Sequence, residues 1–107
     1  MILETILALT PVDYTYLAKA IQVEAASGTM DEYCVAVSIL NRVRSPKFPN
    51  TVAGVVHAPG QYEGMKYQPF ARPNTVARLR SKEGQEKLIT AYSIIGDRTD
   101  FKGQRML

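Results

Sequence analysis

Residues 30–44 read MDEYCVAVSILNRVR, and between Tyr33 and Val43 apolar side chains would cover most of the circumference of a helix. A helix that is apolar nearly all round is expected inside a core. We therefore predict that residues 30–44 form the central core helix. Thr29 and Glu32 have the spacing of a capping box. Capping of the first turn would explain why an acidic residue stands at position 32.

Further helices are expected on both sides of this core helix. Thr10, Pro11 and Asp13 are typical of a helix start and precede an amphipathic segment over residues 13–26. Later helical segments are predicted over 51–58, 74–81 (capped by Asn74) and 84–95. Residues 61–73 (QYEGMKYQPFARP) lack a helical period and read as loop or short strand. The predicted fold is α+β and mainly α, one domain over residues 1–107 with a loop-rich insertion and room for a small antiparallel hairpin.

Composition and charge narrow the class of protein. The chain has 107 residues, of which 46% are hydrophobic and 21% charged, enough for one core without metal or disulfide support. One histidine and the single Cys34 cannot build a common zinc site, so we expect no metal or cofactor and a buried, unreactive thiol. The net charge of +3 suits an anionic cell wall or nucleic acid. We expect the basic residues from Arg72 to Lys87 to form a solvated helical face, and no nucleic-acid motif is present.

The N-terminal stretch MILETILALTP has no basic leader, and Glu4 interrupts its apolar run. This pattern is not that of a signal peptide. No run approaches the roughly 18 apolar residues that a membrane helix needs. We expect no membrane insertion and a monomer.

Glu24 interrupts the apolar face of the helix predicted over residues 13–26. At about 100° per residue it falls within about 20° of Leu17, in the middle of the apolar arc. Burial and the negative end of the helix dipole would both disfavour its charged form, and a protonated acid can act as a general acid. Two interpretations stay open: a catalytic acid, or a structural glutamate that reaches solvent or pairs with Arg42 or Arg44.

Four segments resemble the cell wall hydrolase family that includes the catalytic domain of spore cortex-lytic enzymes. Their order and spacing match the family over about residues 13–62. The segments are Glu24-Ala25, Leu40-Asn41-Arg42-Val43, the loop SPKFPNTV (45–52) and the turn Pro59-Gly60-Gln61-Tyr62.

The resemblance implies a lysozyme-like arrangement of helices with a small antiparallel sheet. It implies cleavage of peptidoglycan glycan strands by a lytic transglycosylase or muramidase, with Glu24 as general acid and base. A non-catalytic peptidoglycan-binding module is the alternative. Without an export signal, such a protein would be made in the cytoplasm and released to the wall by another protein, as phage endolysins are.

The resemblance also suggests which side chains line the glycan groove. The candidates for substrate binding are Ser27, Gln61, Tyr62, Glu63 and Tyr67. Glu63 is the best candidate for a second carboxylate, and Asn41 is expected to fix loop backbone near the site.

Two departures from the family pattern are visible. Where members have Arg-Gly-Glu after the glutamate-alanine pair, this chain has Ala26, Ser27, Gly28 and Thr29. The aromatic-rich C-terminal segment of the family is also missing before Leu107, so a shallower groove is expected.

Overall fold

The computed structural model describes residues 2–67 and 70–103, without the side chain of Lys66, and these residues form helices joined by short loops. In chain order the helices are α1 (Ile2–Leu7), α2 (Pro11–Glu24), α3 (Met30–Arg44), α4 (Val52–Val56), a 3₁₀ helix (Glu63–Tyr67), α5 (Pro73–Arg80) and α6 (Lys82–Ile95).

Helix α3 lies at the centre of the core, as predicted. It packs against α1, α2, α4 and α6, and its residues Val35, Val37, Ile39 and Leu40 have no solvent exposure. Helix α2 lies beside it and also contacts α4, α5 and the 3₁₀ helix. The C-terminal end of α2 lies against the 3₁₀ helix at Gly64 and against the segment at Gly103.

The start of α2 confirms the predicted cap, whereas the start of α3 does not. The Thr10 hydroxyl accepts a hydrogen bond from the Asp13 backbone N–H at 3.2 Å, and Asp13 accepts one from the Thr10 N–H at 2.9 Å. The capping box predicted at Thr29 is wrong. The Thr29 hydroxyl donates to the Ala26 carbonyl oxygen, and Glu32 is turned into the protein instead.

Several helix ends differ from their predicted positions. Helix α2 ends at Glu24 because Ala25 already has an extended backbone. Helix α5 begins at Pro73 after Arg72, so Asn74 is inside the helix and does not cap it. Helix α6 begins two residues early because the Ser81 hydroxyl caps it at the Gly84 N–H. Helix α4 covers only the middle of its predicted span, and α1 was not predicted.

The mainly α part of the predicted fold class is confirmed. Within residues 2–67 and 70–103 no β-strand is formed, and the loop-rich insertion contains the 3₁₀ helix. The predicted hairpin is thus not seen in this part of the chain, and residues 68 and 69 of that insertion lie outside the described residues. Cys34 is buried in the core as predicted, and burial raises the pKa of its thiol. No helix in the described ranges is both long enough and apolar enough to span a bilayer.

Candidate active site

Glu24 is the last residue of α2 and is half-buried. The preceding turn is anchored in the core, since Leu17, Ala20 and Ile21 have no solvent exposure. The helix thus presents Glu24 from a rigid support at the point where the chain turns away. The helical period predicted this acid in the middle of the apolar arc, buried or half-buried, and in the structure it is half-buried at the end of the helix.

The Glu24 side chain borders a small open pocket of about 160 Å³. Four parts of the chain build it: the end of α2, the end of α3, the turn at 60–63, and the segment after α6. The lining residues are Glu24, Arg42, Gly60, Gln61, Tyr62, Glu63, Phe101 and Lys102. Two carboxylates and two cations therefore share one solvent-accessible recess.

Arg42 connects the two walls of this pocket. Its side chain is 7% exposed, and its Nε–H donates to the Thr99 carbonyl oxygen at 2.6 Å while Nη1 donates to Gln61 Oε1 at 3.0 Å. The guanidinium also lies over the rings of Phe48 and Tyr62, at 4.9 and 5.6 Å from their centres. These contacts orient the cation toward neutral groups. Within the described residues no ion pair joins it, or Arg44, to Glu24.

The turn at 60–63 has an unusual backbone. Tyr62 has φ of +48°, a left-handed conformation that is costly for a bulky side chain. Gly60, at φ +77°, enters the turn without that cost, and its N–H donates to Glu63 Oε1 at 2.8 Å. The turn is closed by the Met65 N–H, which donates to the Tyr62 carbonyl oxygen. This backbone directs Gln61, Tyr62 and Glu63 to the same recess.

The pKa of Tyr62 responds to the charged groups of the pocket. Burial raises the pKa of its hydroxyl above the ordinary value of 10.0, the Arg42 guanidinium lowers it, and the Glu24 carboxylate raises it. The phenol thus interacts with both the Glu24 carboxylate and the Arg42 guanidinium. Its neutral form, which can donate a hydrogen bond, is the favoured one.

The segment after α6 forms the other wall. Phe101 and Lys102 line the pocket, and Gly103 packs directly on the backbone of Glu24. A Cβ added to Gly103 would collide with the Glu24 carbonyl oxygen and lie 3.0 Å from the Ala25 Cβ. Only glycine allows this approach without a shift of one of the two segments.

Two predicted substrate-binding residues lie away from the pocket. Ser27 is exposed, and its hydroxyl accepts a hydrogen bond from Arg78 at 3.1 Å. Tyr67 is 74% exposed and does not line the pocket. The structure therefore brings together Glu24, Gln61, Tyr62 and Glu63 from the predicted set, and leaves Ser27 and Tyr67 outside.

Phe101 and Lys102 were not predicted to lie at the site. They are more than 75 residues from Glu24 in sequence, in a segment with no helical or strand period, so periodicity gives no signal for their position. Among the described residues, no three His, Cys, Asp or Glu side chains are grouped so that they could hold a metal ion.

Comparison with known proteins places these features in a family. The chain is 38% identical over 68 residues to the spore cortex-lytic enzyme of Bacillus subtilis (strain 168), a match that covers 62% of this chain and 22% of that protein. The chain thus spans about a fifth of the length of this curated relative. No solved structure matches the chain.

A protein-family model described as Cell Wall Hydrolase matches residues 26–103. The match includes α3, the turn at 60–63 and the wall at 101–103, and it begins two residues after Glu24. Because it covers well over half of the sequence, and because the resemblance read from residues 13–62 points the same way, the chain belongs to the cell wall hydrolase family.

Proposed function

We propose that this protein cleaves the glycan strands of peptidoglycan, with Glu24 as the general acid and base. The observation that carries the proposal is the position of Glu24. It is a half-buried acid at the edge of the core, without an ion pair in the described part of the chain, and it opens on a pocket lined by Gln61 and Tyr62. Membership of the cell wall hydrolase family supports the substrate class.

The first step requires a proton on the leaving oxygen. Glu24 would protonate the glycosidic oxygen that leaves the muramic acid unit, and the sugar would become cation-like at its anomeric carbon. A properly placed general acid typically contributes 10²- to 10⁴-fold to such a reaction. Tyr62, with its proton retained, would donate a hydrogen bond to the sugar in the same recess.

The second step decides the product. If the 6-hydroxyl of the same sugar attacks the anomeric carbon, it returns its proton to Glu24 and a 1,6-anhydro end forms. If water attacks, the end is a reducing sugar. An ordinary glycosidase uses a second carboxylate about 5–9.5 Å from the first, and Glu63 is the acid in the pocket that could fill this role. The route through the 6-hydroxyl needs Glu24 alone, and we propose it as the main reaction.

The test is Glu24→Gln, assayed as muropeptide release from isolated sacculi. We expect the rate to fall by about 10²- to 10⁴-fold while the circular dichroism spectrum is unchanged. The mass of the products separates the two reactions, because an anhydro end is lighter than a reducing end by one water.

Glu83→Gln is the matched control. Glu83 is 76% exposed on α6 and pairs with Lys87 along the same helix, at 3.1 Å, so this variant should keep the full rate. A Glu24→Gln protein as active as the wild type would refute the assignment of Glu24. A wild-type protein that sediments with sacculi but releases nothing would instead identify a non-catalytic binding module.

A further inference from the structure

We infer that Asn41 and Arg42 are positioning residues, which hold the chain after α6 so that Phe101–Gly103 forms one wall of the Glu24 pocket. This inference rests on the proposed function. It goes beyond the expectation that Asn41 fixes loop backbone near the site, because it names the segment that is held, adds Arg42, and identifies the pocket wall that depends on both.

Asn41 fixes the beginning of this segment. Its side-chain Nδ2 donates to the carbonyl oxygens of Gly96 and Arg98, each at 2.8 Å. Asn41 is 3% exposed, and buried polar groups need hydrogen-bond partners. These two bonds supply the partners of its NH₂ group. Its Oδ1 accepts a hydrogen bond from Arg44 at 2.8 Å, which sets the orientation of the amide.

Arg44 and Arg42 bind further residues of the same segment. Arg44 binds Asp97 at 2.9 Å, and the Tyr92 hydroxyl donates to the same carboxylate at 2.6 Å. Arg42 holds the Thr99 carbonyl oxygen. Residues 96–99 are thus held at four successive positions by side chains from the end of α3.

Two residues after Thr99 the chain reaches the pocket. Phe101 and Lys102 line it, and Gly103 rests on the Glu24 backbone. These three residues belong to no helix or strand, and the attachment at 96–99 fixes the point from which they approach Glu24. Because Arg42 also binds Gln61, the same side chain fixes the distance between the two walls.

The experiment compares Asn41→Asp with Gln85→Glu. Each change replaces a side-chain amide donor by a carboxylate oxygen of the same shape. Gln85 Nε2 donates to the Leu79 carbonyl oxygen and the Tyr14 hydroxyl at 2.8 and 3.0 Å, away from the pocket. Both variants should lose some stability, and both are assayed at a temperature where circular dichroism shows them folded.

We expect Asn41→Asp to lower the rate at saturating sacculi by about tenfold, because misplacing groups at a reacting centre lowers kcat. The amount of sacculi that gives half the maximal rate should change less than about threefold. Amide hydrogen exchange of residues 97–103 should become at least about tenfold faster. Gln85→Glu should leave both the rate and this exchange unchanged.

Gly103→Ala tests the wall from its other end. The added methyl group displaces Phe101–Gly103 from Glu24 without removing any hydrogen bond of Asn41 or Arg42. The rate at saturating sacculi should again fall by about tenfold.

The outcomes separate this inference from the proposed function. If Asn41→Asp speeds exchange at 97–103 but keeps the wild-type rate, the inference is overturned while glycan cleavage stands. If wild-type protein releases no muropeptides, the proposed function fails. The inference is then decided by exchange alone: faster exchange at 101–103 in Asn41→Asp upholds it, and unchanged exchange overturns it.

Discussion

Two glutamates eight residues apart, Glu24 and Glu32, meet opposite environments. Glu24 ends α2 and is half-buried beside an open pocket, with no ion pair in the described part of the chain. Glu32 lies in the first turn of α3, is 2% exposed, and binds Arg78 at 2.7 Å. The more deeply buried acid is the one whose charge is compensated.

This difference explains why burial alone does not identify a catalytic acid. The Arg78 guanidinium binds Glu32, Ser27 and Thr75 together, so this cluster connects α5 to the start of α3. A side chain with these partners has a structural role and no access to a glycan. Glu24 instead borders a pocket whose lining comes from the turn at 60–63, the segment after α6 and Arg42.

The largest effect on stability is expected from Arg78→Met. It leaves the buried Glu32 carboxylate without its partner, and breaking a buried ion pair costs about 3–5 kcal/mol. Since the Arg78 side chain is 34% exposed, we expect a smaller loss of about 2–3 kcal/mol in the free energy of unfolding, measured by urea denaturation.

Arg80→Met is the control for this measurement. Arg80 is exposed on the same helix, over the ring of Tyr14, and its loss should cost less than about 1 kcal/mol. Equal losses in the two variants would mean that the Glu32–Arg78 pair does not have the structural role assigned to it.

Glu63→Gln is expected to have a smaller effect, which would be seen in the rate of muropeptide release. The glutamine can still accept the hydrogen bond from the Gly60 N–H, so the turn at 60–63 should be kept. If Glu24 works without a second carboxylate, muropeptide release should change less than about threefold. A fall of about 100-fold or more with an intact fold would identify Glu63 as a second catalytic carboxylate.

The smallest effect is expected from Tyr62→Phe, as a change in the pH dependence of stability. Burial raises the pKa of Tyr62 above 10.0 in the folded protein, so above about pH 10 the unfolded chain loses a proton that the folded protein retains. The unfolded state then binds fewer protons, and stability falls as pH rises through that window.

In Tyr62→Phe this contribution is absent. Urea unfolding at about pH 9 and about pH 11 should therefore show a shallower loss of stability in the variant than in the wild type. Parallel losses in the two proteins would contradict the buried environment of the Tyr62 hydroxyl.

The sequence predicted those parts of the molecule that depend on local pattern. Helix α3 could be predicted because its apolar residues run nearly all round it, and α2 because Thr10 and Asp13 cap it. Glu24 could be predicted on the apolar side of its helix because the 3.6-residue period fixes its direction relative to Leu17. Gln61 and Tyr62 were placed by their resemblance to the family turn.

The rest depends on contacts that no local pattern specifies. The Thr29 cap was wrong because Glu32 turns into the protein to pair with the partly exposed Arg78, 46 residues away, and not with its own helix terminus. Phe101 and Lys102 reach the pocket because side chains of α3 hold residues 96–99. Ser27 follows Glu24 closely in sequence, yet the turn after α2 directs it toward Arg78.

The most direct test of the account sets Glu24→Gln beside Glu32→Gln, with muropeptide release from sacculi measured at a temperature where both proteins are folded. We predict that Glu24→Gln loses at least about 100-fold in rate with little change in stability, whereas Glu32→Gln loses stability and keeps a rate close to that of the wild type. The reverse pattern, with Glu32→Gln inactive and Glu24→Gln active, would contradict the placement of the active site at the end of α2.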